Sequence, residues 1–526
     1  MKKNFPKITF CLILLLAIIS RFYLLGSLPS SLNCDEVSHA YNAYSLLKTG
    51  KDQWGVPWPI FNFRAYGDYP TTANLYLTIP FIKIFGLNAF SVRLPHAILG
   101  TVFVVLMYFF CQNQFSNYFI SFTSMFLAAI SPWLVFPSRA VFQSNLSQTF
   151  LLAGIYFFYL SLKSPKQIFF SSLFFSLALF SYHNTRIIIP LLVPLLVIYY
   201  RPKITPMHRL ALIIFLLFLI PNLINFLNPQ SLARNRWVGI LNESSQNLIN
   251  DQRFHFSGPK LLNLFINNKY VYFSKKLFLN YLNLLNPLPL FFLGSNNYQF
   301  NTPKTGLFFS ILLPFFYLGF FVCIKKKPIL FFLFLLSLLP AALTVGDFPS
   351  IRATTALPFY LIFLSYGLNL FNRRFVYLLI LPLVFYHLFL YWQIYFKYNI
   401  DYSYAWQGGY QELVAYLKTI YSDFDHIYLT KKYGEPHEFI LFYWPWDPKT
   451  YHTDLNFRWD YHSNWYWVDS FDKFIFFNNW ELPQLQLQAN SLLIAGPDFQ
   501  PQPPLRHLKT INLFRSLPAF NVYRYD

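Results

Sequence analysis

Apolar runs separated by short polar connections occupy the chain up to about residue 397, after which the pattern changes. The runs lie near residues 8 to 25, 94 to 112, 117 to 134, 142 to 162, 167 to 182, 186 to 200, 208 to 227, 306 to 324, 328 to 345, 355 to 371 and 375 to 397. A helix crosses a hydrocarbon layer of about 30 Å with about 20 mostly apolar residues, so the pattern predicts about eleven transmembrane spans. Thr72 to Phe85 is apolar too, but short and interrupted by Pro80, and is expected to lie along the membrane interface as a helix without crossing it. From Asp401 acidic residues become frequent; His426 to Thr430, Glu438 to Tyr443 and Phe520 to Tyr523 read as strands, and Tyr410 to Ile420 as a helix. The expected fold is therefore mainly α, a polytopic membrane helical bundle over residues 1–397 with external loops 26–93 and 228–305, followed by a small α/β domain over residues 398–526.

Charge orients this pattern. Basic clusters at Lys2, Lys3 and Lys7, at Lys163 and Lys166, at Arg201, Lys203 and Arg209, at Lys325 to Lys327 and at Arg373 and Arg374 fall on alternate connections. The positive-inside rule makes those connections cytoplasmic, with the N-terminus inside and the terminal domain outside, as in a multi-pass plasma-membrane protein. Before residue 398 the acidic residues are Asp35, Glu36, Asp52, Asp68, Glu243, Asp251 and Asp347, all on connections assigned outside. Proton-coupled pumps place carboxylates within their spans, so this distribution argues against transport. Composition agrees with a bilayer partner: 55% of residues are hydrophobic, 22% aromatic and 12% charged. The formal charge of +20 comes without a basic run interleaved with aromatics, so topology explains it better than nucleic acid does. Cys11, Cys34, Cys111 and Cys323 form no disulfide framework. The basic start followed by an apolar run, with no small-residue cleavage pattern, reads as a retained signal anchor.

The candidate chemistry begins at Asp35 and Glu36, two carboxylates just beyond the first span. Carboxylates beside lipid are costly to desolvate and point to a functional cavity lined by protein. Asp35-Glu36, Gly50-Lys51-Asp52 with Gly55 and Pro57, Gly86 to Pro95, Ser138-Arg139 with Asn145, Tyr182 to Arg186, and Pro349 to Arg352 with Pro358 together resemble the bacterial relatives of protein O-mannosyltransferases and of the lipid A aminoarabinose transferases. The likeness covers most of residues 1–397. It implies a C-type glycosyltransferase fold and transfer of a sugar from a polyprenyl-phosphate carrier, on the outer face, to a glycan, lipid or protein acceptor. It also implies a single inverting displacement with Asp35 as general base. One departure is Gln143, where many bacterial relatives carry an acidic residue near the Arg139 loop.

The other roles follow from what such a reaction requires. Glu36 either tunes Asp35 by like-charge repulsion or holds the loop by hydrogen bonding. Charge grows on the leaving phosphate as the glycosidic bond breaks, which calls for preorganised cationic donors. Arg352 is the first choice, close to the start of a span where a helix N-terminus adds its dipole. Arg139 and Arg186 follow, and Arg234 and Arg236 are placed to meet the lipid phosphate on entry. Asp68, Tyr69 and His183 are candidates for sugar or acceptor contacts, against turn and span-end roles. The tryptophans Trp444 to Trp446, Trp459, Trp465 and Trp467 suit glycan stacking less well than core packing or interface anchoring. No metal-ligand spacing, glycine-rich phosphate loop or nucleotide fingerprint is present, so no metal or other cofactor is expected. The rival readings are a polytopic transporter of lipid-linked glycan and an outer-face receptor.

Overall fold

The computed structural model describes residues 5–228, 238–513 and 517–526. Each of the eleven apolar runs carries a helix, from α1 (Phe5–Phe22) to Leu381–Asp401. Among the described residues four helices, Ala89–Phe115, His183–Tyr200, Pro206–Phe226 and Arg373–Asp401, are long and apolar enough to cross a membrane, and a fifth counts if Tyr118–Ile130 and Pro132–Ser138, bent by 52°, form one span. Against the expected count of eleven spans thus stand four or five helices of full spanning length among the described residues. Hydropathy counts apolar residues whatever their backbone, and several runs spend part of their length on tight turns. A 3₁₀ turn Ser310–Leu312 precedes helix Leu313–Lys326, another at Arg352–Ala356 precedes Leu357–Asn369, and Pro328 opens Pro328–Ala342.

The chain forms two compact units, each discontinuous in sequence: Met1–Tyr23, His96–Ser138 and Phe142–Trp392 make one, and Leu24–Pro95, Arg139–Val141 and Gln393–Asp526 the other. The composition break near residue 400 therefore marks a different division from the one the packing makes.

In the first unit, helices Leu313–Lys326 and Leu357–Asn369 cross at reciprocal glycines. A Cβ on Gly319 would lie 1.8 Å from the Phe363 carbonyl oxygen, and one on Gly367 would lie 1.8 Å from that of Phe315. Small residues at such crossings let two backbones approach closely.

The second unit is built on a seven-stranded mixed sheet. Its strands are β1 (His426–Thr430), β2 (Arg458–His462), β3 (Trp465–Phe471), β4 (Phe474–Phe477), β5 (Ser491–Ala495), β6 (Arg506–Asn512) and β7 (Pro518–Tyr525). They are ordered β2-β3-β4-β1-β5-β7-β6, with β1 parallel to β4 and β5 and the remaining pairs antiparallel. Strands β1 and β7 and helix Tyr410–Ile420 fall where the apolar pattern puts them. Glu438 to Tyr443 does not: it belongs to a helix, Pro436–Tyr443. A short continuous apolar run fits a buried strand and a buried helix equally well, and Pro436 at the first helical position, with its fixed φ, decides for the helix. This helix packs against α2 (Cys34–Thr49), so Val37, Ala40 and Tyr41 join Leu413, Ile427, Phe439, Phe474 and Leu492 in one core. Trp444 and Trp446 pack onto that core, as the packing reading of the tryptophans has it. After α2 come α3 (Ala73–Phe85), where the interfacial helix is expected, and α4 (Ala89–Phe115).

Gly319→Ala or Gly367→Ala forces a methyl group onto a backbone carbonyl that cannot rotate away, and each is expected to cost about 3 kcal/mol or more, the upper end for overpacking. Leu318→Ala, on the same helix but 44% exposed, is expected to cost under about 0.5 kcal/mol. Thermal unfolding of the purified protein in detergent compares the three.

Candidate active site

The turn bearing Asp35 is held by a connected set of hydrogen bonds in the second unit. Asn33 caps α2: its side chain accepts from the Glu36 N–H at 2.9 Å, while its own N–H donates to Glu36 Oε2 at 3.2 Å. This reciprocal capping box satisfies two donors that a helix end otherwise leaves orphaned. At the far end Gly50 adopts φ +71° and donates to the Leu46 carbonyl, where Cβ-bearing residues are strained.

Glu36 is fully buried and paired with Arg93, also fully buried, from the first turns of α4. Arg93 Nε donates to Oε1 at 3.0 Å and Nη2 to Oε2 at 3.1 Å, and the Val141 N–H adds a bond to Oε1 at 3.1 Å. The other guanidinium hydrogens go to the carbonyls of Pro29 (2.9 Å), Leu25 (3.4 Å) and Ser31 (2.6 Å). Of the two roles open to Glu36, these are the bonds of the second: it holds the loop.

Asp35 stands beside it, exposed, at the second position of α2, where negative charge complements the helix dipole. The backbone before it is held on both sides: the Cys34 N–H donates to Gln407 Oε1 at 2.6 Å, and the Tyr66 hydroxyl donates to the Cys34 carbonyl. Burial, with Asp35 beside it, pushes the Cys34 thiol well above its ordinary range.

Asp68 and Tyr69 lie on the connection between α2 and α3. Asp68 accepts from the Tyr69 N–H at 2.8 Å, a local turn bond, and the Tyr69 hydroxyl pairs with that of Tyr466 at 2.6 Å. The Arg64 guanidinium of the same connection lies among three rings, 4.6 Å from Tyr466, 5.0 Å from Trp54 and 5.3 Å from Trp459. Arg139, fully buried, donates to the Tyr395 hydroxyl at 3.0 Å and to the Leu28 carbonyl at 3.3 Å.

The first unit has its own cavity, of about 330 Å³. It brings together His183 and Arg352, with Tyr182, Asn184 and Thr344 as further polar lining and Ile187, Phe226, Ile240, Phe273 and Leu343 as apolar lining. Such a mixture, mostly apolar with a few polar groups, is typical of ligand pockets. Arg352 opens the 3₁₀ turn before helix Leu357–Asn369, and its carbonyl accepts from Asn184 Nδ2 at 2.7 Å. Arg186 is buried behind this lining, with Nη1 3.4 Å from His183 Nδ1 and Nε donating to the Leu179 carbonyl. Arg234 and Arg236 lie outside the described residues. Among the described residues no group of three or more His, Cys, Asp or Glu side chains is arranged to hold a metal ion.

Two features of the site go unread in the sequence although signals for them exist. Asn33-Cys34-Asp35-Glu36 has the spacing of a capping box and announces a helix. Arg93, quoted only as part of a motif, is a cation within an apolar segment, and such a residue needs a buried partner.

Residues 70–225 match the family described as dolichyl-phosphate-mannose-protein mannosyltransferase. The resemblance seen in the motifs is thus borne out over less than a third of the chain, a stretch that includes Gly86 to Pro95, Arg139 and Arg186. Comparison with curated protein sequences gives no match. Among solved structures, the archaeal oligosaccharyltransferase AglB from Archaeoglobus fulgidus, in complex with an inhibitory peptide and a dolichol-phosphate, is 11% identical with a TM-score of 0.46, the match covering 84% of this chain and 64% of that one. This chain therefore spans less than two thirds of the AglB chain. ArnT from Cupriavidus metallidurans bound to undecaprenyl phosphate is 10% identical with a TM-score of 0.46, over 100% of this chain and 98% of that one. The S. cerevisiae protein O-mannosyltransferase Pmt1-Pmt2 complex bound to the sugar donor is 16% identical with a TM-score of 0.32, over 48% and 37%. No residue correspondence follows from likeness at this level.

Arg93→Met leaves the Glu36 carboxylate buried without its cation and is expected to cost about 3–5 kcal/mol, of which Arg93→Lys recovers only part because the three donors of an ammonium cannot fill the acceptors that the guanidinium fills. Denaturation midpoints of the two variants check this.

A second expectation concerns pH. Burial pushes His39, on α2 with its ring 5.1 Å from Phe63, down to about 4, against the opposing Asp68 charge. A histidine kept neutral in the fold contributes stability that is complete above its unfolded value of about 6.5 and is lost as pH falls toward 4, about 3 kcal/mol in all. Thermal midpoints measured across that range should fall for the wild type, and His39→Leu should remove this component of the fall.

Proposed function

We propose that the chain is a membrane glycosyltransferase that moves a sugar from a polyprenyl-phosphate carrier to an acceptor hydroxyl, with inversion at the anomeric carbon. The observation that carries this reading is the exposed Asp35 carboxylate between the hydrogen-bonded Cys34 and Glu36, in a chain whose residues 70–225 match a family described by a lipid-phosphate mannose donor. Asp35 takes the proton of the acceptor hydroxyl, and the acceptor oxygen bonds to the anomeric carbon. The bond from that carbon to the phosphate oxygen breaks, and its electron pair leaves with the phosphate.

Arg352 receives the phosphate charge, for which a guanidinium suits phosphate oxygens by geometry as well as by charge. Its cavity has the volume for a phosphate and the first part of a prenyl chain. His183 offers a contact for the lipid-linked sugar. Arg186 supports that lining from behind through His183. Arg139 holds the Leu28 segment, and the bonds of Asp68 and Tyr69 give them the part of shaping the connection near Asp35. The scheme invokes no cofactor. In this reading the protein spans the plasma membrane several times, with its N-terminus in the cytoplasm and the sheet domain outside.

Asp35→Asn barely changes volume and should leave the fold intact while lowering transfer about 10²-fold or more, the worth of a general base. Mass spectrometry of glycoconjugates from cells expressing wild-type or variant protein reads the effect and identifies sugar and acceptor. Full transfer by the Asn variant would end the base assignment.

A further inference from the structure

A second charged cluster lies beside the Asp35 turn, and the reaction above makes no use of it. Glu435, His437 and Glu438 stand at the start of helix Pro436–Tyr443, and their side chains are 4%, 2% and 1% exposed. The imidazole sits between the two carboxylates, with Nδ1 3.5 Å from Glu435 Oε2 and Nε2 3.6 Å from Glu438 Oε1. Neither ring nitrogen has a hydrogen-bond partner, and neither does Glu438 Oε2. Buried charge without hydrogen bonds is costly, and packing against α2 alone needs only apolar residues here.

The cluster reaches α2 by two routes. Glu435 Oε1 accepts from Trp465 Nε1; the Trp465 ring stacks on Tyr66 at 5.5 Å and 15°; and the Tyr66 hydroxyl holds the carbonyl of Cys34. The second route is the field: the charges of Glu435 and Glu438 act, together with Asp35, on Cys34 and Tyr66. Glu438 also acts on Tyr41 and Tyr451, and Glu435 on Tyr410. Lys431, whose charge acts on Glu435, is bound to Asp469 at 2.7 Å.

We propose that Glu435, His437 and Glu438 are positioning residues for Asp35, a buried charged cluster of the sheet domain that sets, through Trp465 and Tyr66, the place and the electrostatic surroundings of the turn presenting this carboxylate. The proposal rests on Asp35 being the base, and its test does not. Cys34, a residue of intermediate exposure, is the reporter, in a Cys11→Ser background where the remaining cysteines, Cys111 and Cys323, are buried. Alkylation by a small neutral maleimide follows the thiolate fraction. Glu438→Gln removes one negative charge and is expected to speed Cys34 alkylation at pH 8.5 by about threefold or more, with the midpoint of the rate against pH moved down. Glu438→Asp keeps the charge and is expected to hold the wild-type midpoint, and Glu435→Gln should act as Glu438→Gln does.

An unchanged midpoint in both Gln variants would overturn the proposal. So would an equal change in Glu438→Gln and Glu438→Asp, the mark of lost packing. Thermal midpoints identify any variant that fails to fold, and Glu435→Gln then decides alone. If Asp35→Asn kept full transfer while these midpoints moved as expected, the base assignment would fall and the coupling of cluster to turn would stand.

Discussion

The buried pair of Glu36 and Arg93 is the constraint on which the rest of the second unit depends. A buried ion pair stabilises a fold only when its geometry is good and its remaining hydrogen-bonding capacity is met. Here all five guanidinium hydrogens have acceptors, two on the carboxylate and three on the carbonyls of Leu25, Pro29 and Ser31. The pair therefore fixes the loop before α2, the start of α2 and the first turns of α4 together. Helical geometry carries the constraint one residue further. Successive side chains on a helix point about 100° apart, so with Glu36 locked inward, Asp35 is turned out to where it is exposed.

Around this centre the unit repeats one device, a residue of the connection before α3 held by a residue of the sheet domain. Arg64 is enclosed by Trp54, Trp459 and Tyr466, Tyr69 pairs with Tyr466, and His452 Nε2 lies 2.8 Å from the Asp52 carbonyl. The aromatic richness of the chain has two separate uses. Some rings sit in apolar helices, whereas the tryptophans and tyrosines of β2 and β3 enclose a cation and carry a hydrogen-bonded network.

What could be read from the sequence follows from how local its causes are. The helices over the apolar runs, the helix at Tyr410–Ile420 and strands β1 and β7 are written in short-range patterns. Asp35 stood out because a carboxylate next to an apolar span is chemically unusual. Helix α2 was hidden because it is neither apolar nor strongly amphipathic; its burial on most sides comes from distant partners. Glu438 to Tyr443 failed as a strand because a short run buried all round carries no period. Apolar length does not report where a tight turn interrupts a run, so it does not by itself give the length of the helix each run carries. The grouping of Leu24–Pro95 with Gln393–Asp526 had no local trace at all.

That grouping bears on how the protein is made. The Cys34 N–H finds its acceptor 373 residues later, at Gln407, and Ser30 finds its partner 369 residues later, at Asn399. Translation delivers the carboxylate-bearing turn and its Arg93 partner among the first segments to leave the ribosome, and Asn399 and Gln407 among the last. The nascent chain carries Cys34 and Ser30 without these two partners through most of synthesis, so the turn completes its hydrogen bonds only when the final quarter arrives.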